Sequence, residues 1–269
     1  MKSRFLLVFS FYIFSLVSYQ ALSEQNHFYV FSDKGLKLRI SPSKIASSEV
    51  VSYGKKVRIL PMENKVLFQE NNLKGFWALV ELEDKKRGYM FSGYLLPFPP
   101  PRLKRQVNPL KTYIQLANKK GSQLDLENID HPKFNMKASF VKVIFKISSM
   151  QDAFVLGKRI YDMPENFLFP ERSRKIFVKA DVLDKGHEDW KIFELKIERD
   201  VRKNVKFFHY SEKNHLGVLH AFIEKKNNTE VVFSETFLDE KDEKVVQAAK
   251  KGTQKRATID SRKENIKAR

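Results

Sequence analysis

The feature that most constrains this chain is a period of two in its apolar residues. In Lys191-Ile192-Phe193-Glu194-Leu195-Lys196-Ile197-Glu198, the apolar Phe193, Leu195 and Ile197 alternate with Glu194, Lys196 and Glu198. Side chains alternate across a strand, so this run builds a sheet with one apolar and one charged face. Short runs of similar length recur at Thr112 to Leu116, Phe140 to Ile147, Ala153 to Leu156, Ile176 to Leu183, Trp190 to Ile197, Val205 to Tyr210, Val218 to Ile223 and Val231 to Leu238. Turn formers separate them, as in Asp184-Lys185-Gly186 and Lys226-Asn227-Asn228. The 23 phenylalanines add to the strand preference. Helix signals are few. The expectation is an all-β chain whose residues 112–238 form a larger antiparallel β-sandwich or barrel.

A second set of shorter runs occupies residues 28–97. Gly35 turns the chain into Leu36-Lys37-Leu38-Arg39, which alternates and ends at Pro42. Val50-Val51, a turn at Gly54, Val57 to Leu60, Phe76 to Val80, a charged tip at Asp84 to Arg87, Gly88 to Phe91 and Tyr94 to Leu96 follow. These read as about five short strands, and rolling them into a barrel removes exposed edges.

Three motifs here resemble bacterial SH3-like domains. They are Gly35-Leu36-Lys37-Leu38-Arg39-Ile40-Ser41-Pro42-Ser43, the Trp77-x-x-Val80 strand, and Gly88-Tyr89-Met90 with Tyr94-Leu95. The stretch from Pro42 to Gly54 is shorter than usual in that family, the insert from Met62 to Asn72 is longer, and Tyr89 stands where tryptophan is commoner. The resemblance implies a small, closed, independently folding barrel. It also implies a binding module of a cell-envelope protein, with peptidoglycan or another envelope protein as partner. Tyr53, Phe76, Trp77, Tyr89 and Tyr94 are the candidate groove, since an aromatic face with a polar tip suits recognition. The same positions suit a core, Trp77 above all.

Residues 1–23 read as a signal peptide. Lys2 and Arg4 precede the apolar Phe5 to Tyr19, and Ala21 and Ser23 are small residues at the cleavage positions. Cleavage after Ser23 and a periplasmic or extracellular location are expected. The apolar stretch is short of the roughly 20 residues that span a bilayer. Residues 98–111 form a proline-rich basic linker, and the run Pro97-Phe98-Pro99-Pro100-Pro101 that leads into it reads as an extended spacer. Residues 239–269 read as a basic, disordered tail, suited at most to weak contact with anionic polymer or lipid.

The net charge of +18 is concentrated per residue in the linker and the tail. A diffuse excess of this kind, behind an export signal, argues against a nucleic-acid partner.

The chain has no cysteine. Disulfides, thiolate catalysis and cysteine-based metal sites are therefore excluded, including the papain-like wall peptidases that often accompany such barrels. The six histidines fall in no metal-ligand spacing, and solvent-facing positions are expected for them. His187-Glu188 lacks the second histidine of a metalloprotease helix, and Asp162 and Glu165 have no evident partner. Gly-x-Ser-x-Gly and phosphate-loop patterns are absent. No catalytic residue, metal or cofactor is assigned. The expected function is a non-catalytic, monomeric or weakly associating binding protein of the envelope. The alternative is a wall-modifying enzyme with its active site in residues 112–238.

Overall fold

The computed structural model describes residues 27–101, 109–119, 126–127, 140–171, 175–184, 187–214 and 217–239. The expected signal peptide, most of the basic joint and the tail beyond Asp239 lie outside the described residues. The chain divides into two compact units. One comprises Met1–Arg105, Gln115–Gln123 and Gln151–Asp162, the other Gln106–Ile114, Leu124–Met150 and Met163–Arg269. No helix among the described residues is long and apolar enough to cross a membrane.

The first unit holds β1 (His27–Val30), β2 (Leu36–Arg39), β3 (Ser48–Val51), β4 (Lys56–Ile59), β5 (Leu67–Glu70), β6 (Leu73–Glu81), β7 (Arg87–Phe91) and β8 (Leu95–Leu96). They pair antiparallel in the order β3-β2-β7-β6-β4-β1-β8, with β5 joined to β6 alone. Alternation sets the core. Leu36 and Leu38 of β2, Ala78 and Val80 of β6 and Met90 of β7 are buried, and Ala78 faces Met90 in register. Gly88 permits the approach of β2 to β7, because a Cβ there would lie 2.7 Å from the Arg39 carbonyl oxygen. The end strands β3 and β8 are not paired with each other, so backbone ladders do not complete a ring.

Two expectations for this region change. The proline run is not a free spacer. Pro99, Pro100 and Pro101 are buried, a Cβ at Gly54 would meet the Pro100 ring at 3.2 Å, and the Tyr53 hydroxyl donates to the Pro101 carbonyl at 2.9 Å. Packing against a non-polar neighbour costs proline little, since it has no N–H to satisfy.

Nor does the unit end near residue 97. Ala153 to Leu156, read as a strand, lies within α2 (Met150–Ile160) once α1 (Pro109–Lys119) is counted first. Met150, Ala153, Phe154 and Ile160 with Gly157 between them follow the 3.6-residue period, which a four-residue window cannot reveal. From Gln151 onward this helix belongs to the first unit. Gln151 accepts from the Lys74 N–H at 2.9 Å and donates to its carbonyl at 3.1 Å. Arg159 donates to the Phe31 carbonyl at 3.1 Å and pairs with Asp33 at 3.2 Å.

Arg159→Ala should therefore lower stability by about 2 kcal/mol, because a mostly buried guanidinium leaves Asp33 and a backbone carbonyl without it. Urea unfolding of the full chain measures this. An unchanged midpoint would show that the helix adds nothing to the first unit.

In the second unit, β9 (Leu126–Glu127), β10 (Phe140–Phe145), β11 (Lys175–Asp184), β12 (His187–Arg199), β13 (Val205–Asn214), β14 (Gly217–Lys225) and β15 (Val231–Asp239) form one antiparallel sheet, in the order β11-β12-β13-β14-β15-β10-β9. The alternation read at residues 191–198 is realised here. Phe193, Leu195 and Ile197 are buried, and Leu195 and Ile197 stand opposite the buried Tyr210 and Phe208. Ile223, Phe233 and Val143 continue this face across β14, β15 and β10 in register.

Thr112 to Leu116, read as a strand, is instead part of α1. Leu110, Tyr113 and Ile114 are buried at helical spacing, and the Tyr113 ring lies 6.2 Å from Phe145 with the planes inclined by 27°. Phe167 adds an edge contact to Tyr210 at 6.4 Å. The all-β expectation holds. Among the described residues two antiparallel sheets dominate, and the two α-helices have 11 residues each.

Candidate functional site

The five sequence-predicted groove residues do not form one groove. The reason is the long insert. Asn71 and Asn72 both adopt positive φ, 50° and 65°, and make a two-residue turn between Glu70 and Leu73. Such turns match the twist of a hairpin, and asparagine tolerates them. The hairpin folds β5 onto β6 and lays Phe68 over Trp77, with ring centroids 4.8 Å apart and planes within 17°. The Arg39 guanidinium lies over the same indole at 5.5 Å and also donates to the Ala46 carbonyl at 2.9 Å, which holds the turn after β2. Trp77 is left 5% exposed. Its core role prevails over the groove role.

Phe91 stands edge-on to Phe68 at 5.1 Å and to Tyr94 at 5.9 Å, so Tyr94 joins this aromatic group. The Tyr94 hydroxyl accepts from the Asn71 side chain at 2.9 Å. Tyr89 is half-buried, opposite Arg39 and Leu79 in register. Tyr53 sits apart. Its ring meets Phe31 edge-on at 6.2 Å, and its hydroxyl is committed to Pro101. Burial pushes the Tyr53 pKa above the usual tyrosine range against the opposing charge of Arg159.

Phe76 presents a different picture. It is half-buried, with the Lys65 ammonium 4.8 Å above its ring. Lys44 lies 4.6 Å above Phe68. Beside these cation–aromatic pairs are large apolar side chains facing solvent. Leu67, opposite Phe76, is 82% exposed, and Ile45, next to Lys44, is 96% exposed. Cations over ring faces add modest energy at exposed sites, of order 0.5–1 kcal/mol. By strand alternation Leu67, Phe76 and Lys65 share one face of the hairpin, and Phe68 with Lys44 lies on the other; Lys44, Ile45, Lys65, Leu67 and Phe68 are the residues that groove reasoning missed. The paired asparagines at 71 and 72 were the available signal, since they mark the hairpin that carries Phe68.

The strongest charge cluster of this unit is structural. Glu81 accepts from Arg58 at 2.5 Å and from Arg87 at 2.8 Å, and Lys85 stands 3.7 Å away. The hydrogen bond from Arg87, helped by Arg58, holds this carboxyl below its usual range.

In the second unit, His209 and His220 meet through Nε2 and Nδ1 at 3.0 Å, and His209 stacks on Phe222 at 4.6 Å. Both histidines are half-buried on a face that also carries Phe207. This corrects their expected solvent-facing positions: cross-strand register brings together residues 11 positions apart. His215 lies outside the described residues. Among the described residues, no group of three His, Cys, Asp or Glu side chains could hold a metal ion.

Two carboxyls titrate unusually. Burial pushes Asp152 up to about 6. Burial also pushes Glu235 up to about 7, against the N–H groups of Leu110 at 2.9 Å and Lys111 at 3.3 Å that donate to it. Both Glu235 oxygens therefore serve the amino end of α1, as a capping carboxylate does. Asp162 and Glu165 are exposed.

No family model matches the chain, and neither a curated protein nor a solved structure matches it.

Proposed function

We propose that the chain is an exported, non-catalytic binding protein of the cell envelope, whose SH3-like first unit recognises peptidoglycan or another envelope protein. The observation that carries this reading is one face of the β5 hairpin, where Lys65 lies over Phe76 and Leu67, opposite Phe76, is exposed. On the other face of the hairpin Lys44 lies over Phe68, with Ile45 exposed beside it. Cations supply attraction to anionic groups, and apolar faces supply contact that does not depend on charge. A wall polymer with sugar rings and carboxylates offers both complements.

The alternative reading, a wall-modifying enzyme built on residues 112–238, draws less support. Its most perturbed carboxyl, Glu235, is occupied by a helix end.

The protein should bind purified sacculi, and binding should persist at about 0.5 M salt, where screening reduces charge attraction to a few ångströms. Deleting residues 240–269 should leave it intact. Exchanging both Lys65 and Leu67 for glutamate should weaken it at least tenfold in a sedimentation assay. Loss of binding on tail deletion, or at modest salt, would identify an electrostatic adherent instead.

A further inference from the structure

Two ring nitrogens converge on the outer face of the second sheet. Phe208 and Tyr210 of β13 and Ala221 and Ile223 of β14 are buried on the core face, so His209, His220 and Phe222 lie on the opposite one. There His209 Nε2 and His220 Nδ1 stand 3.0 Å apart. The two residues are diagonal neighbours across the ladder, since His209 faces Phe222 and His220 faces Ser211 in register. The Phe222 ring lies 4.6 Å from the His209 ring with planes within 17°, and 6.4 Å from the His220 ring with planes within 19°. Strand pairing and stacking therefore hold both imidazoles in place. Both residues are half-buried, and neither is sealed in the core.

We propose that His209 Nε2 and His220 Nδ1 form a bidentate site for a divalent transition-metal ion, Cu²⁺ or Ni²⁺, with water completing the coordination. Imidazole suits copper, nickel and zinc, whereas magnesium and calcium take oxygen ligands. The spacing then separates the first three. Two nitrogens 3.0 Å apart, each about 2.0–2.1 Å from a metal, subtend about 91–97° at it. Adjacent ligands of square-planar or tetragonal Cu²⁺ and Ni²⁺ meet at about 90°. Tetrahedral zinc needs about 109°, and so nitrogens about 3.3–3.4 Å apart. Zinc sites also use at least three protein ligands. A pair of nitrogens at a near-right angle fits copper or nickel better.

Without metal the two rings share one hydrogen bond, in which one N–H donates to the other ring. Metal binding removes no proton from a neutral pair. The donating ring moves its proton to its other nitrogen, and both shared nitrogens then present lone pairs. Those lone pairs turn by about 40° from facing each other toward a common point, which the broad χ2 torsion of histidine permits. Lys196, opposite His209, pairs with Glu194 at 3.2 Å, which offsets its repulsion of a metal cation. Ser211 and Thr236 stand opposite His220 on its two neighbouring strands and add hydroxyl groups to the same face.

The test is titration of the full chain with Cu²⁺ near neutral pH, read by calorimetry and electron paramagnetic resonance. The wild type should bind one equivalent in the micromolar range, with the signature of two equatorial nitrogens. Ni²⁺ should compete for this site, and excess Mg²⁺ should not. Binding should fade as the pH falls toward 5, because the imidazoles must be neutral to ligate. His209→Gln and His220→Gln should each weaken it about tenfold or more. The double variant should lose little further, since either single change already forfeits the chelate. A wild type without a micromolar site overturns the proposal. So do single variants that bind as the wild type does, which would place the copper on other histidines, or Zn²⁺ that binds more tightly than Ni²⁺. Should either glutamine variant lose its sheet signal in circular dichroism, His209→Phe and His220→Phe keep a ring on the face and take its place. These should weaken binding equally, and unchanged binding would again overturn it.

Discussion

Trp77→Ala should cost the first unit about 3–5 kcal/mol, the range for deleting a large buried aromatic. The indole is enclosed by Phe68 and Arg39, and its removal would leave a cavity beneath them. Urea unfolding followed by circular dichroism measures the loss. Trp77→Phe should keep part of the stack on Phe68 and recover a good share of the stability. A complementary variant, Phe68→Ala, should uncover the indole and shift its fluorescence to the red. If Trp77→Ala leaves stability unchanged but abolishes binding to sacculi, the ring is a ligand surface and the packing assignment fails.

Glu235→Gln should change the pH dependence of stability more than its magnitude at any one pH. Burial raises this carboxyl from 4.5 to about 7 in the folded chain, so the folded state holds a proton that the unfolded state releases. Stability from this group is full below about pH 4.5 and is lost as pH rises toward 7. The shift corresponds to about 3 kcal/mol across that window. Asp152, raised to about 6, adds loss of the same sign. The wild type should therefore grow less stable between pH 5 and 8, and Glu235→Gln should flatten most of that slope. Glu81, Asp200 and Glu230 are all held below their usual ranges and act with opposite sign only in stronger acid. A wild-type slope unaltered by Glu235→Gln would mean that Glu235 is not buried as a cap.

The strands of the second unit were legible because their period of two repeats over enough residues to exceed chance, as at residues 191–198. The two helices were not, because the runs that identified them were four and five residues long. Over such lengths a buried helix and a buried strand look alike. Phe31 and Arg159, 128 residues apart, gave no local sign of their hydrogen bond. The candidate surface was legible only in part. Lys44, Phe68 and Lys65 lie in segments that read as loop and insert, and their roles follow from where the Asn71-Asn72 turn directs the chain.

The sequence by itself determined the all-β class, the alternating faces of the large sheet, the absence of thiol chemistry and most strand residues of the first unit outside β5, because each depends on local spacing or on composition alone. Only the tertiary structure decided which aromatics are enclosed, that the proline run packs against Tyr53 and Gly54, that α2 from Gln151 joins the first unit, and that Glu235 caps α1. Those outcomes depend on partners 9 to 128 residues apart in the chain, as between Phe68 and Trp77 or Arg159 and Phe31. Burial is a property of such partnerships: an indole or a carboxyl is hidden by what folds over it, and nothing in its own neighbourhood along the chain records what that will be.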